Sequence, residues 1–176
     1  MSQQQETAEA RADQRLSRMI FAGCFLVMIA IFVFTPGAWN VTMPETLKFD
    51  LGPLLARGWL VQFHVATVAV ALLLGPVQFV LPKGTGLHRT FGWVWSVAMF
   101  STAIATFFIR EMRDGQFSPI HIFSVMTLLG VPMALWLARN RVIAHARAMT
   151  GLYIGLLVAG LTAIAPGRVI WNMFFG

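Results

Sequence analysis

The chain is poor in charge. Only 11% of its 176 residues are Asp, Glu, Lys or Arg, against about 25% in an ordinary soluble domain. It has one cysteine, Cys24, so no intramolecular disulfide, cysteine metal cluster or redox pair can form. Cys24 lies in an apolar run, where a small buried thiol is ordinary packing. None of the carboxylates falls inside a long apolar run. That removes carboxylate proton relays and carboxylate-rich metal sites. No H-E-x-x-H, phosphate loop or dinucleotide fingerprint occurs. Strand-period alternation is also missing, which excludes a membrane β-barrel.

What is present is hydrophobic surface, 57% of residues with a mean hydropathy of +0.71. It is gathered into five uncharged runs, at about 19–36, 58–81, 90–109, 119–138 and 148–165. Each is near the roughly 20 residues a helix needs to cross a bilayer. Backbone groups in lipid find no water, so these runs must be helices. The chain therefore reads as an all-α integral membrane bundle of five transmembrane helices. Residues 1–18 form a polar N-terminal segment. Residues 19–176 form a single domain whose core is helices two to five, about 58–165, with helix one peripheral. The first run follows a long polar head and precedes no A-x-A-like cleavage site, so it reads as a retained span rather than a signal peptide. The tail after residue 165 either prolongs the fifth helix or lies along the interface. A short surface helix is expected around 46–56.

The net charge of +6 is a topology signal before it is a nucleic-acid signal, and no nucleic-acid partner is expected. With the N-terminus cytoplasmic, the inner segments carry Arg11, Arg15, Arg18, Lys83, Arg89, Arg139, Arg141 and Arg147, and the outer ones Lys48, Arg57, Arg110, Arg113 and Arg168. This bias favours a multi-pass protein of the bacterial inner membrane with a periplasmic C-terminus, in contact with the lipid bilayer. Ser118-Pro119 opens the fourth helix as an N-cap and N1 pair. Residues 81–86, Leu-Pro-Lys-Gly-Thr-Gly, form a turn cluster that closes the second. Trp59, Trp93, Trp136 and Trp171 lie near proposed interfaces, as an aromatic belt requires.

The four histidines divide by depth on this topology. His64, in helix two, and His121, in the first turn of helix four, lie towards the outer side. His88, opening helix three, and His145, just before helix five, lie at the inner surface. Two neutral imidazoles from different helices suit axial ligation of a b-type haem. All four histidines are then iron ligands, of one haem or two. The faces they share are small or mildly polar: Thr67, Ala71, Gly75 and Gln78 with His64; Gly92, Ser96, Met99, Ala103 and Thr106 with His88; Ala148, Gly155, Ala159 and Thr162 with His145. Such faces fit a planar ligand and equally fit close helix packing. Arg89, Arg141 and Arg147 near the inner pair, and Arg57, Arg110 and Arg113 near the outer, could hold haem propionates; Arg89 and Arg147 are the cofactor-binding candidates. For His64 the competing role is an interhelical hydrogen bond; for His88 and His145 it is a solvated surface position. Two histidines without acids make a thin zinc site. Copper held by histidines with Met99, Met126 or Met149 lacks a pattern.

The string His64…Gly75-Pro76-Val77-Gln78-Phe79…His88-Arg89-Thr90-Phe91-Gly92…His145-Ala146-Arg147-Ala148-Met149 resembles a bacterial family of predicted membrane proteins of unknown function, with the pattern H…GPxQF…HRxxG…HxRxM. The resemblance spans about 58–165 and implies no activity. The histidine order is also similar to that of di-haem transmembrane b-type cytochromes, including ascorbate-dependent ferric reductases. That likeness implies one haem shared by helices two and four, through His64 and His121, and another shared by helices three and five, through His88 and His145. The leading expectation is thus a cytochrome b-like oxidoreductase for electron transport, moving electrons between a quinone or soluble donor and an acceptor. The alternative is a haem-free accessory or scaffold subunit of a larger redox or photosynthetic membrane complex. A small transporter or sensor is a third possibility.

Overall fold

Gly75-Pro76, near the end of the second apolar run, sets how the helices pack in the computed structural model, which describes residues 48–109, 120–164 and 168–175. Six helices are present among these residues. They are α1 (Gly52–Leu55), α2 (Trp59–Val80), α3 (Gly86–Phe108), α4 (Ile120–Asn140), α5 (Val142–Ala163) and α6 (Val169–Phe175). Helices α2 to α5 have 22, 23, 21 and 22 residues. At about 1.5 Å per residue each is long enough to cross a hydrocarbon core of about 30 Å. All four are apolar enough to span a membrane. They correspond to the second to fifth runs. The first run, at 19–36, and the Ser118-Pro119 cap lie outside the described residues.

Pro76 has no N–H, so the carbonyl of Leu72, four residues earlier, loses its helical donor. Tyr153 of α5 supplies one, its hydroxyl donating to Leu72 O at 3.3 Å. Gly75 makes room for the same side chain. A Cβ at position 75 would fall within the Tyr153 ring, 2.7 Å from Cζ and nearer still to Cδ2 and Cε2. Phe79, one turn on, packs edge-on against the ring with centroids 5.6 Å apart. One turn of α2 is thus shaped to receive Tyr153. Trp95 of α3 takes the adjacent carbonyl, donating from Nε1 to Ala71 O at 3.0 Å.

The four long helices run up and down in a closed order. α2 packs along α3, α3 along α4 and α4 along α5, and a shorter seam joins α5 to α2. The diagonal pairs, α2 with α4 and α3 with α5, do not approach each other among the described residues. The short α2–α3 and α4–α5 connections make each of those pairs antiparallel neighbours. The core lies at mid-height and contains Ala71, Trp95, Ala98, Met99, Val131 and Leu156, with Tyr153 and Leu152 against it. Leu152 fits over Gly130, where an added Cβ would come within 3.0 Å of its Cδ2. Outward faces carry large exposed apolar side chains such as Leu73, Val80, Trp93, Leu129 and Leu161, as a lipid-facing surface requires.

One end of the bundle is made by the α2–α3 turn and the α4–α5 junction at Arg141 and is called the turn end here. Gly84 adopts φ +80° in the first turn, a conformation that glycine adopts without a Cβ penalty. Thr85 caps α3 by accepting from His88 N at 3.3 Å. Lys83 folds back onto the last carbonyls of α2, donating to Gln78 O and to Phe79 O. At the opposite end α6 packs on α1, tied by Lys48 N to Phe174 O at 3.0 Å and Asp50 N to Met173 O at 2.8 Å. The tail is therefore a separate short helix rather than a continuation of α5. The expected surface helix is the single turn Gly52–Leu55.

Two sequence boundaries need correction. α5 begins at Val142 and encloses His145 and Arg147, both expected before the helix. α3 begins at Gly86, two residues ahead of His88. Apolar runs mark the hydrocarbon layer, whereas helical hydrogen bonding continues past it. All described residues belong to one compact unit, Val41–Gly176.

Gly75→Ala is expected to destabilise the bundle by about 1–3 kcal/mol through overpacking. The penalty should largely vanish in a Tyr153→Ala background. Thermal unfolding of the four variants in one detergent measures this coupling, and additive effects would show that Gly75 and Tyr153 do not share the notch.

Candidate functional site: histidines at two levels

His64 and His121 lean on the same turn of α3. His64 Nδ1 lies 3.3 Å from Thr102 O and 3.3 Å from Thr106 Oγ1. The Thr106 hydroxyl already donates to Thr102 O at 2.9 Å. The Thr102 carbonyl can only accept, so this contact assigns the proton to Nδ1, with the Thr106 hydroxyl as a second acceptor. A neutral imidazole with Nδ1–H keeps its lone pair on Nε2. The hydroxyls around it form a directed chain. Thr102 Oγ1 donates to Thr67 Oγ1 at 2.7 Å, and Thr67 donates to His64 O at 2.9 Å. His64 itself is half-buried. His121, 7% exposed, packs against Phe107 with ring centroids 5.6 Å apart. Thr102, Ala103, Ala105 and Ser124 are buried near this level. α3 stands between the two histidines on the ring, and they belong to the diagonal pair α2 and α4.

The other level lies at the turn end. His145 Nδ1 is 2.8 Å from Ala134 O of α4. A carbonyl only accepts, so this ring also has Nδ1–H and a bare Nε2. His88 is held the other way round. The Gln78 amide sits among His88 O, His88 Nδ1 and Gly92 N. With its nitrogen towards His88, it donates to His88 Nδ1 at 2.8 Å and His88 O at 3.2 Å and accepts from Gly92 N at 3.0 Å. This orientation is assigned from the neighbours' donor and acceptor roles. Nδ1 of His88 is then an acceptor, and in the neutral ring Nε2 carries the proton. Lys83 lies close enough for its charge to act on His88.

A metal-ligating histidine usually donates its second N–H to a carbonyl or carboxylate, which fixes the tautomer and raises ligand basicity. His64 and His145 meet that requirement. His88 does not, since the nitrogen it would offer iron bears a proton. Arg89 and Arg147, the expected propionate partners, are both exposed at the turn end.

Thr102, Trp95 and Tyr153 were not among the sequence candidates. A signal existed for Tyr153: it is the only tyrosine, in a chain with 15 phenylalanines. A hydroxyl retained in an apolar run implies an acceptor for it.

The closed ring of spans, lipid-facing exterior and polar bonds turned inward define a helical integral membrane protein. The sequence profile of the predicted membrane proteins designated DUF2306 matches residues 61–176. The chain belongs to that family. No curated protein and no solved structure shows a match to it.

The histidine tautomers can be read by nitrogen-15 NMR of the protein in micelles at a pH where the rings are neutral. His64 and His145 should show protonated Nδ1, and His88 protonated Nε2. The Gln78→Leu variant should release the His88 preference, while a His88 already protonated at Nδ1 in the parent would contradict the Gln78 assignment.

Proposed function

We propose that the protein is a transmembrane electron carrier that holds one b-type haem between α2 and α4, with His64 and His121 as axial ligands. The observation that carries this reading is the hydrogen bonding of His64, whose Nδ1 lies 3.3 Å from the carbonyl oxygen of Thr102, a group that only accepts. A histidine in a span is costly and usually functional, and this one keeps an unprotonated Nε2. Support comes from His121, buried on the diagonal helix at the level of the same α3 turn. The flanks of that diagonal are slender. α3 contributes Thr102, Ala103 and Thr106. α5 contributes Gly160, on the helical face of Tyr153 and Leu156, where an added Cβ would meet nothing within 4 Å.

When bound, haem supplies one-electron chemistry. The protein's own part is to present His64 in the ligating tautomer, to strengthen it as a donor through Thr102 and Thr106, and to keep water from the site. This reading reduces the expectation of one or two haems to one. It assigns the His88 level to helix closure through Gln78. A quinone or soluble donor, and an acceptor, remain the partners of such a carrier. The Lys and Arg distribution supports a cytoplasmic turn end in the bacterial inner membrane.

A haem-free scaffold subunit is the second reading. The feature that favours it is the use of Tyr153, Trp95, Gln78 and His145 in bonds between helices.

Spectra of the purified protein, oxidised and dithionite-reduced, separate the two. Under the haem reading His64→Ala and His121→Ala each abolish the reduced α-band, and His88→Ala retains it. A colourless parent protein from haem-sufficient cells, or a His64→Ala variant with an unchanged band, would leave the scaffold reading.

A further inference from the structure

α1 and α6 are the two helices that do not span. α1 is a single turn, Gly52–Leu55, and α6 has seven residues, about 10 Å at helical rise. Helices this short do not hold on their own in water. Here they hold each other. Residues 48–50 run against the end of α6, with Lys48 N donating to Phe174 O and Asp50 N to Met173 O. Phe49 packs on Phe174 with ring centroids 5.4 Å apart, and Trp171 on Phe175 at 4.4 Å. The result is a small aromatic cap.

The chain fixes where this cap lies. α2 has 22 residues, about 33 Å against a hydrocarbon layer of about 30 Å. Its first residue, Trp59, therefore stands at the edge of that layer. Only residues 56–58 separate α1 from α2, so α1 stays at the same edge. Gln62, in the first turn of α2, fastens the elbow, its Nε2 donating to Arg57 O at 2.8 Å and Leu55 O at 3.2 Å.

Two features indicate the medium around the cap. The first is its backbone. Carbonyls at helix ends are commonly left to water, but here the protein takes them: those of Leu55 and Arg57 by Gln62, those of Met173 and Phe174 by residues 48–50. The second is its surface. Phe49, Leu51, Leu55 and Trp59 are 67%, 45%, 65% and 75% exposed. Trp59 heads the outward stripe of α2, which Phe63, Val70 and Leu73 continue at helical spacing. That stripe faces lipid. Exposed apolar surface of this extent marks a contact, and its continuity with α2 makes lipid the occupant.

We propose that α1 and α6 form a cap embedded in the bilayer interface at the end opposite the turns, with Phe49, Leu51 and Leu55 in the headgroup and acyl boundary of that leaflet. The cap anchors the first turns of α2, and with them His64, at a fixed depth.

Nitroxide labelling of the full chain in phosphatidylcholine nanodiscs tests this. Cys24→Ser removes the one native thiol, and Leu51→Cys and Leu55→Cys each carry a label in that background. Leu129→Cys, on the outward face of α4, is the reference in lipid, and Asn140→Cys, exposed at the turn end, the reference in water. Collision rates are measured with oxygen, which concentrates in hydrocarbon, and with a water-soluble nickel chelate. At both α1 positions the ratio of oxygen to chelate collisions should lie below the Leu129→Cys value and roughly tenfold above the Asn140→Cys value, as a depth of about 5–10 Å into the boundary implies. If one variant does not fold, the other decides. A ratio equal to that of Asn140→Cys would place the cap in water and overturn the proposal. Slow collisions with both probes, or dipolar broadening that disappears on dilution with unlabelled protein, would overturn it in favour of a second copy of the chain on this face.

Discussion

The structure depends on one constraint, the absence of water in the hydrocarbon layer. A polar side chain there must find its partner in the protein, and the most abundant acceptors are backbone carbonyls. Four bonds between the long helices follow this rule. Trp95 donates to Ala71 O, Tyr153 to Leu72 O, His64 to Thr102 O and His145 to Ala134 O. Each places a donor from one helix on the backbone of the next, so the set joins α2 to α3, α5 to α2 and α4 to α5. Interhelical hydrogen bonds in membranes contribute about 0.6 kcal/mol on average. Their larger effect here is directional, because they fix the register of neighbouring helices and the tautomers of two histidines.

Seen this way, the Gly-Pro-x-Gln-Phe segment is a receptor for two other helices. Gly75 and Phe79 shape the site for the Tyr153 ring, Pro76 frees the carbonyl that its hydroxyl uses, and Gln78 spans His88 and Gly92. On the α5 side, Tyr153 closes the seam against Leu72, Gly75 and Phe79. Gly160, further along α5, has open space before it. Tight packing at one end and slender residues at the other are what a bundle would need to hold a planar ligand near His64 without losing its order.

Much of this organisation was legible in the sequence. Four uncharged runs gave four spanning helices, because length and hydropathy suffice where the solvent is lipid. The grouping of the histidines by depth followed from the spacing of the same runs. Less was legible at the helix ends: Val142 to Arg147 read as a loop because charge interrupts hydropathy, yet the backbone is already helical there. Tyr153 could not be matched to Leu72 from sequence, since 81 positions separate them. The difference between His88 and His145 was equally hidden. It turns on whether a neighbouring glutamine donates to the ring or a carbonyl accepts from it, which composition and spacing do not encode.

The central claim, that the polar bonds leave His64 as a ligand while committing His88 to Gln78, has a direct quantitative consequence. The ratio of haem to polypeptide, from the pyridine haemochrome assay and amino-acid analysis of the same sample, tests it. The account predicts one haem per chain. A ratio of two would show that the His88 and His145 level also binds haem, and a ratio of zero in protein from haem-sufficient cells would contradict the haem assignment altogether.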